Sequence, residues 1–111
     1  MTTLQKIKIS NELLEKLKEL GWNCENIGEN QFEIERWATN GKDIVYNITA
    51  LNDFDFFKEI ETIYNNFDVD DEVKINIDCN GAPSISQILE DCKEEENELE
   101  KLKNSIYDLL W

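Results

Sequence analysis

Apolar residues recur along this chain at two spacings, and each change of spacing marks an element. Leu13, Leu14, Leu17 and Leu20 repeat at helical intervals, with Ser10 ahead of them as an N-cap and Gly21 behind as a stop. This predicts a first helix over residues 11–20. Ile7 and Ile9 alternate with Lys6 and Lys8, which allows a short lead-in strand. From Trp22 the period drops to two. Residues 22–27 read as a first strand that turns at Gly28-Glu29-Asn30. Phe32, Ile34 and Arg36 then share one strand face, and Glu33, Glu35 and Trp37 share the other. Asn40-Gly41 is a strong hairpin signal, because a type I′ turn needs positive φ at both central residues. The return strand covers residues 43–50, with Ile44, Tyr46 and Ile48 facing one way and Val45, Asn47 and Thr49 the other.

The helical period returns after Asn52 and Asp53, either of which suits an N-cap. Phe54, Phe57, Ile60, Glu61 and Tyr64 trace its stripe, Phe56 and Ile63 widen it, and Phe67 closes it. Asp68 to Glu72 reads as a polar connection. Val73, Ile75, Ile77 and Cys79 alternate with Lys74, Asn76 and Asp78, which predicts a half-buried strand over residues 73–79. Asn80-Gly81-Ala82-Pro83 turns the chain. Ser84 with Gln87 has the capping-box pattern and predicts a last helix over residues 85–110. Its apolar seam is Ile85, Ile88, Leu89, Cys92, Leu99, Leu102, Ile106 and Leu109. The seam breaks at Glu95 and Glu96, as if the helix leaves the core or bends there. A chain of 111 residues is expected to form one domain, residues 1–111. The element order predicts an α+β fold: a small, mostly antiparallel sheet of three or four strands, helices packed on one face, and a long acidic C-terminal helix.

Charge sharpens this picture. The formal net charge is -14, and the last 45 residues carry -9 of it. In the densest run Glu90, Asp91, Glu94, Glu95, Glu96, Glu98 and Glu100 face a single base, Lys93. Like charges four residues apart on a helix destabilise it by about 0.2–0.5 kcal/mol per pair. Glu90 with Glu94 and Asp91 with Glu95 are two such pairs. One physical use for such a run is attraction to a basic groove. A four-residue helical step rises about 6 Å, the scale of phosphate spacing on a nucleic-acid strand. An acidic helix is therefore suited to compete for a nucleic-acid channel and to be steered into it, while the same charge opposes direct nucleic-acid binding. The candidate partner-binding residues are Glu90, Asp91, Glu94, Glu95 and Glu98, the loop acids Asp70, Asp71 and Glu72, and Trp37 as an aromatic anchor beside acids.

Other chemistry is sparse. The absence of histidine removes imidazole acid–base catalysis and imidazole metal sites. Cys24, Cys79 and Cys92 are odd in number and widely separated, so they read as small core hydrophobes rather than a disulfide framework. Asp68, Asp70 and Glu72 alternate as in a calcium loop, but Val73 and Cys79 stand where that loop needs Gly and Glu. Asp53 and Asp55 suit helix capping better than acid–base work. No cofactor or metal is expected, and the chain reads as a binding module rather than an enzyme. It has no apolar run of signal-peptide or membrane-spanning length, so a cytoplasmic protein without membrane contact is expected.

Three segments carry a resemblance. They are Asn66-Phe67-Asp68-Val69-Asp70-Asp71-Glu72-Val73, Gly81-Ala82-Pro83-Ser84-Ile85 and Leu89-Glu90-Asp91-Cys92, the last leading into a leucine-spaced acidic helix. Over about residues 43–110 the chain resembles a group of small acidic proteins carried by bacterial phages and conjugative elements. Cys92 stands where that pattern usually has a smaller residue. The resemblance implies an inhibitor of host defence, of the anti-CRISPR or anti-restriction kind. Its partner would be a host protein with a basic nucleic-acid-binding groove, a CRISPR effector or another defence nuclease, met in the host bacterial cell. The alternative is a regulatory or adaptor protein whose last helix pairs with another helix, including as a homodimer, through Leu99, Leu102, Ile106 and Leu109.

Overall fold

The computed structural model describes residues 9–77 and 84–111. The first helix, α1 (Asn11–Glu19), starts where Ser10 accepts a hydrogen bond from the Leu13 amide. The Ser10 amide and hydroxyl donate to the Asp53 carboxylate at 2.8 and 2.5 Å. Asp53 opens α2 (Asp53–Asn66), which Asn52 caps. One polar knot thus fixes the starts of two helices against each other.

Between these helices lie β1 (Asn23–Gly28), β2 (Gln31–Trp37) and β3 (Asp43–Thr49), an antiparallel sheet of order β1-β2-β3. Alternation sorts its side chains as the sequence predicts. Phe32, Ile34, Ile44 and Ile48 are buried, while Trp37, Val45, Asn47 and Thr49 are exposed. The covered face meets Leu13 and Leu17 of α1 and Phe56, Phe57 and Ile60 of α2 in one core. The architecture is α+β, with a three-stranded sheet and a long last helix.

The turn between β2 and β3 differs from the expected type I′. Gly41 has φ +100°, and Asn30 is the only non-glycine residue with positive φ among those described. Asn40 is therefore not left-handed. The Gly41 amide bonds to Ala38 O at 3.0 Å and the Ala38 amide to Lys42 O at 2.9 Å. This is the three-residue loop in which a tight turn ends on a left-handed residue. Space does not demand glycine there, since nothing lies within 4 Å of a Cβ added at Gly41. The backbone angle does.

The strand expected over residues 73–79 is a correction. Its described residues, 73–77, belong to a helix, α3 (Val69–Ile77), which also takes in most of the expected polar connection. Asp78, Cys79 and the expected turn Asn80-Gly81-Ala82-Pro83 lie outside the described residues, as does most of the lead-in segment around Ile7. The helix wins because its start is capped and charged correctly. The Asp68 carboxylate accepts from the Asp71 amide at 3.2 Å, and Asp70, Asp71 and Glu72 occupy the positive first turn. Helical winding half-buries Val69, Glu72, Val73 and Asn76 and leaves Ile75 and Ile77 exposed.

The last helix, α4 (Ile85–Leu110), matches its expected range, and Ser84 with Gln87 forms the capping box. Leu99, Leu102 and Ile106 are fully buried in the same core as the sheet. They are consequently not free to form a seam with a second helix, and only Leu109 of that set stays exposed. The helix ends in an aromatic group, with Trp111 stacked on Tyr107 at 4.6 Å and edge-on to Phe57 at 6.0 Å. Leu102→Ala is expected to lower unfolding free energy by about 2–5 kcal/mol, and Leu109→Ala by less than about 0.5–1 kcal/mol. Urea denaturation of the two variants checks this. Equal losses would place the seam outside the core.

Candidate functional site

The acids of α4 sit closest to the tip of the β2–β3 hairpin. A hairpin tip has backbone N–H groups that the strand ladder does not satisfy. Here α4 supplies their acceptors. Asp91 Oδ1 accepts from the Asn40 amide at 2.9 Å, and Oδ2 accepts from the Lys42 amide at 3.1 Å. Glu94 accepts from the Thr39 amide at 3.0 Å. The Asn40 side chain donates to Asp91 at 3.0 Å and to Glu90 at 2.9 Å. A second tier follows one and two turns along. Glu95 pairs with Lys42 Nζ at 2.6 Å and accepts from the Tyr46 hydroxyl. Glu98 pairs with Arg36 Nη1 at 3.0 Å. Glu72 reaches the same Lys42 at 3.4 Å from α3.

Glu95 accordingly does not leave the packed interior. It is 3% exposed and Asp91 is 2% exposed, and both oxygens of each carboxylate accept hydrogen bonds. An apolar residue is missing from the seam because a half-buried cation, Lys42, is matched there instead. Burial pulls the Lys42 ammonium down, but hydrogen bonds to Glu95, then the Glu95 and Glu72 charges, outweigh it and leave it raised. Burial, followed by the Glu95 hydrogen bond, raises Tyr46. Burial pushes the Cys92 thiol up to about 11.

Two predictions follow from this cluster. Glu95→Ala leaves the half-buried Lys42 ammonium with Glu72 alone and the Tyr46 hydroxyl without its acceptor, and is expected to cost about 1–3 kcal/mol, measured by chemical unfolding. A group raised in the folded state stabilises the fold below its unfolded pKa and loses that contribution as pH rises through the folded value. Lys42, Tyr46 and Cys92 are all raised, so stability should hold to about pH 9 and fall above about pH 10. Tyr46→Phe should make that alkaline fall shallower in urea midpoints taken from pH 8 to pH 11.

The remaining sequence candidates are placed elsewhere. Asp70 and Asp71 are exposed on the first turn of α3. Trp37 is 59% exposed on the outer face of the sheet. Its surroundings were only half visible in the sequence. Glu33 and Glu35 share its strand face by alternation. Glu25 and Asp43 join them only through register. Glu25 lies directly across from Glu33, Trp37 across from Asp43, and Glu35 across from Val45. Like charges directly opposite destabilise a sheet. A hydrogen bond with Asp43, then burial and the charges of Asp43, Glu33 and Glu25, raise the Glu35 carboxyl above the ordinary glutamate value. Arg36 and Lys42 are the only bases between residues 22 and 50, and both point to α4. Four acids and an exposed indole therefore share a face with no base from its own strands.

Among the described residues, no group of three or more carboxylates or cysteines is arranged to hold a metal ion. No described helix is long and apolar enough to cross a membrane. In comparisons with family models, characterised proteins and solved structures, none matches this chain.

Proposed function

We propose that this chain is a non-enzymatic inhibitor from a phage or mobile element that blocks the basic nucleic-acid channel of a host defence nuclease, a CRISPR effector foremost. It would act in the bacterial cytoplasm. One observation carries the reading: the outer sheet face keeps Glu25 opposite Glu33 and Glu35 beside Asp43 without a neutralising base from its strands. Such a face is unfavourable for the isolated domain and favourable against a cationic surface, where it speeds encounter and rejects wrong partners. Five acids of the α4 run, Glu90, Asp91, Glu94, Glu95 and Glu98, are engaged within the molecule. Glu90 lies exposed at the rim of that set, and Asp70 and Asp71 are exposed on α3. Their contribution to docking would be secondary to that of the sheet.

The test is DNA cleavage by purified host CRISPR effectors with increasing amounts of this protein. The double variant Glu33→Lys, Asp43→Lys changes one half-buried and one exposed position on the outer face and leaves the hairpin contacts intact. It should weaken inhibition by about tenfold or more, and rising salt should weaken inhibition by the original chain. Undiminished inhibition by the folded double variant rules out the sheet face. Reversal of Glu95 is unsuitable for this purpose, because it releases the hairpin.

A further inference from the structure

Among the described residues no element covers the outer face of the sheet, and its most exposed large side chain is Trp37. Asp43 lies directly across from Trp37, and Glu35 is two residues away on the same strand face. We infer that a cationic side chain of the partner protein, an arginine by preference, seats over the Trp37 ring between Glu35 and Asp43. This deepens the proposed function and rests on its reading of the sheet as the docking face.

Charge complementarity selects the occupant. The acids facing this position are Glu25, Glu33, Glu35 and Asp43, and the strands contribute no base to it. An indole face attracts a cation through its quadrupole, and the planar guanidinium also satisfies two carboxylates at once. The molecule already builds this arrangement on the covered side of the same strand. There Arg36 lies over the Trp22 ring, 5.5 Å from its centroid, with the Glu98 carboxylate at 3.0 Å. The outer site has the indole and the carboxylates but lacks the guanidinium. A cation arriving there also offsets the neighbouring Asp43, Glu33 and Glu25 charges that help to raise the Glu35 carboxyl. Binding should therefore draw that carboxyl back toward its ordinary value and release protons wherever it is part-protonated in the free protein.

Calorimetric titration of the whole protein with a hexa-arginine peptide tests this. Hexalysine is the comparison peptide, and buffers of different ionisation enthalpy read the protons. The expected result is salt-sensitive binding that favours arginine, with proton release that Asp43→Asn abolishes. Trp37→Ala should weaken hexa-arginine binding about 3- to 30-fold, with Trp37→Phe in between. The inference is overturned if neither peptide binds at low salt, or if Trp37→Ala binds as tightly as the original chain. Displacement of the peptide by equimolar calcium or magnesium also overturns it, in favour of a metal site. Peptide binding at Trp37 without inhibition of any nuclease would retain this inference and remove the parent function. Inhibition undiminished by Trp37→Ala would do the reverse.

Discussion

The contact between α4 carboxylates and the β2–β3 hairpin tip organises this molecule. Three backbone amides, those of Thr39, Asn40 and Lys42, point away from the ladder and are met by Asp91 and Glu94. Hydrogen bonds to charged acceptors are stronger than neutral ones, and a buried donor left unpaired costs more than the bond is worth. The turn must therefore keep its geometry and α4 must keep its rotation. That rotation delivers Leu99, Leu102 and Ile106 to the core on the following turns. It also brings Glu95 to Lys42 and Glu98 to Arg36. Both bases of the sheet region are held on the covered side, which leaves the outer face negative.

The net charge of -14 is thus divided into two populations with different physics. Asp91 and Glu95 are buried, Asp91 against amide donors and Glu95 against the Lys42 ammonium, so both are committed to contacts inside the molecule. Glu25 and Asp43 face solvent, and their field extends outward over a Debye length of about 8 Å at physiological salt. Only the second population guides an encounter. A run of acids along a helix is consequently a poor map of the electrostatic surface when the adjacent hairpin presents bare amides.

Much of the fold was legible in the sequence, because local signals agreed with one another. Ser10, Asn52 and Ser84 each stand ahead of a helical apolar stripe and each caps its helix. Alternation in β2 and β3 assigned their covered residues correctly. The failures have physical causes. Strict alternation over residues 73–77 pointed to a strand, yet the capping Asp68 and the acids after it formed a helix start, a signal read there as mere polarity. The site was less legible. A carboxylate's partner is set by tertiary approach, and Glu95 lies 53 positions from Lys42 and 49 from Tyr46. The acidic face needed the register of both strand pairs before Glu25 and Asp43 joined Glu33 and Glu35.

The strand β2 carries interior and exterior roles on alternate residues: Phe32, Ile34 and Arg36 inward, Glu33, Glu35 and Trp37 outward. A single inserted or deleted residue would exchange the two sets, sending indole and carboxylates into the core. Point substitution at the outward positions touches neither the core nor the contact with α4. The length of β2 is therefore rigidly constrained while half of its letters are free. A lineage built on this strand would acquire new targets by exchanging residues in place, and would lose its fold by changing their number.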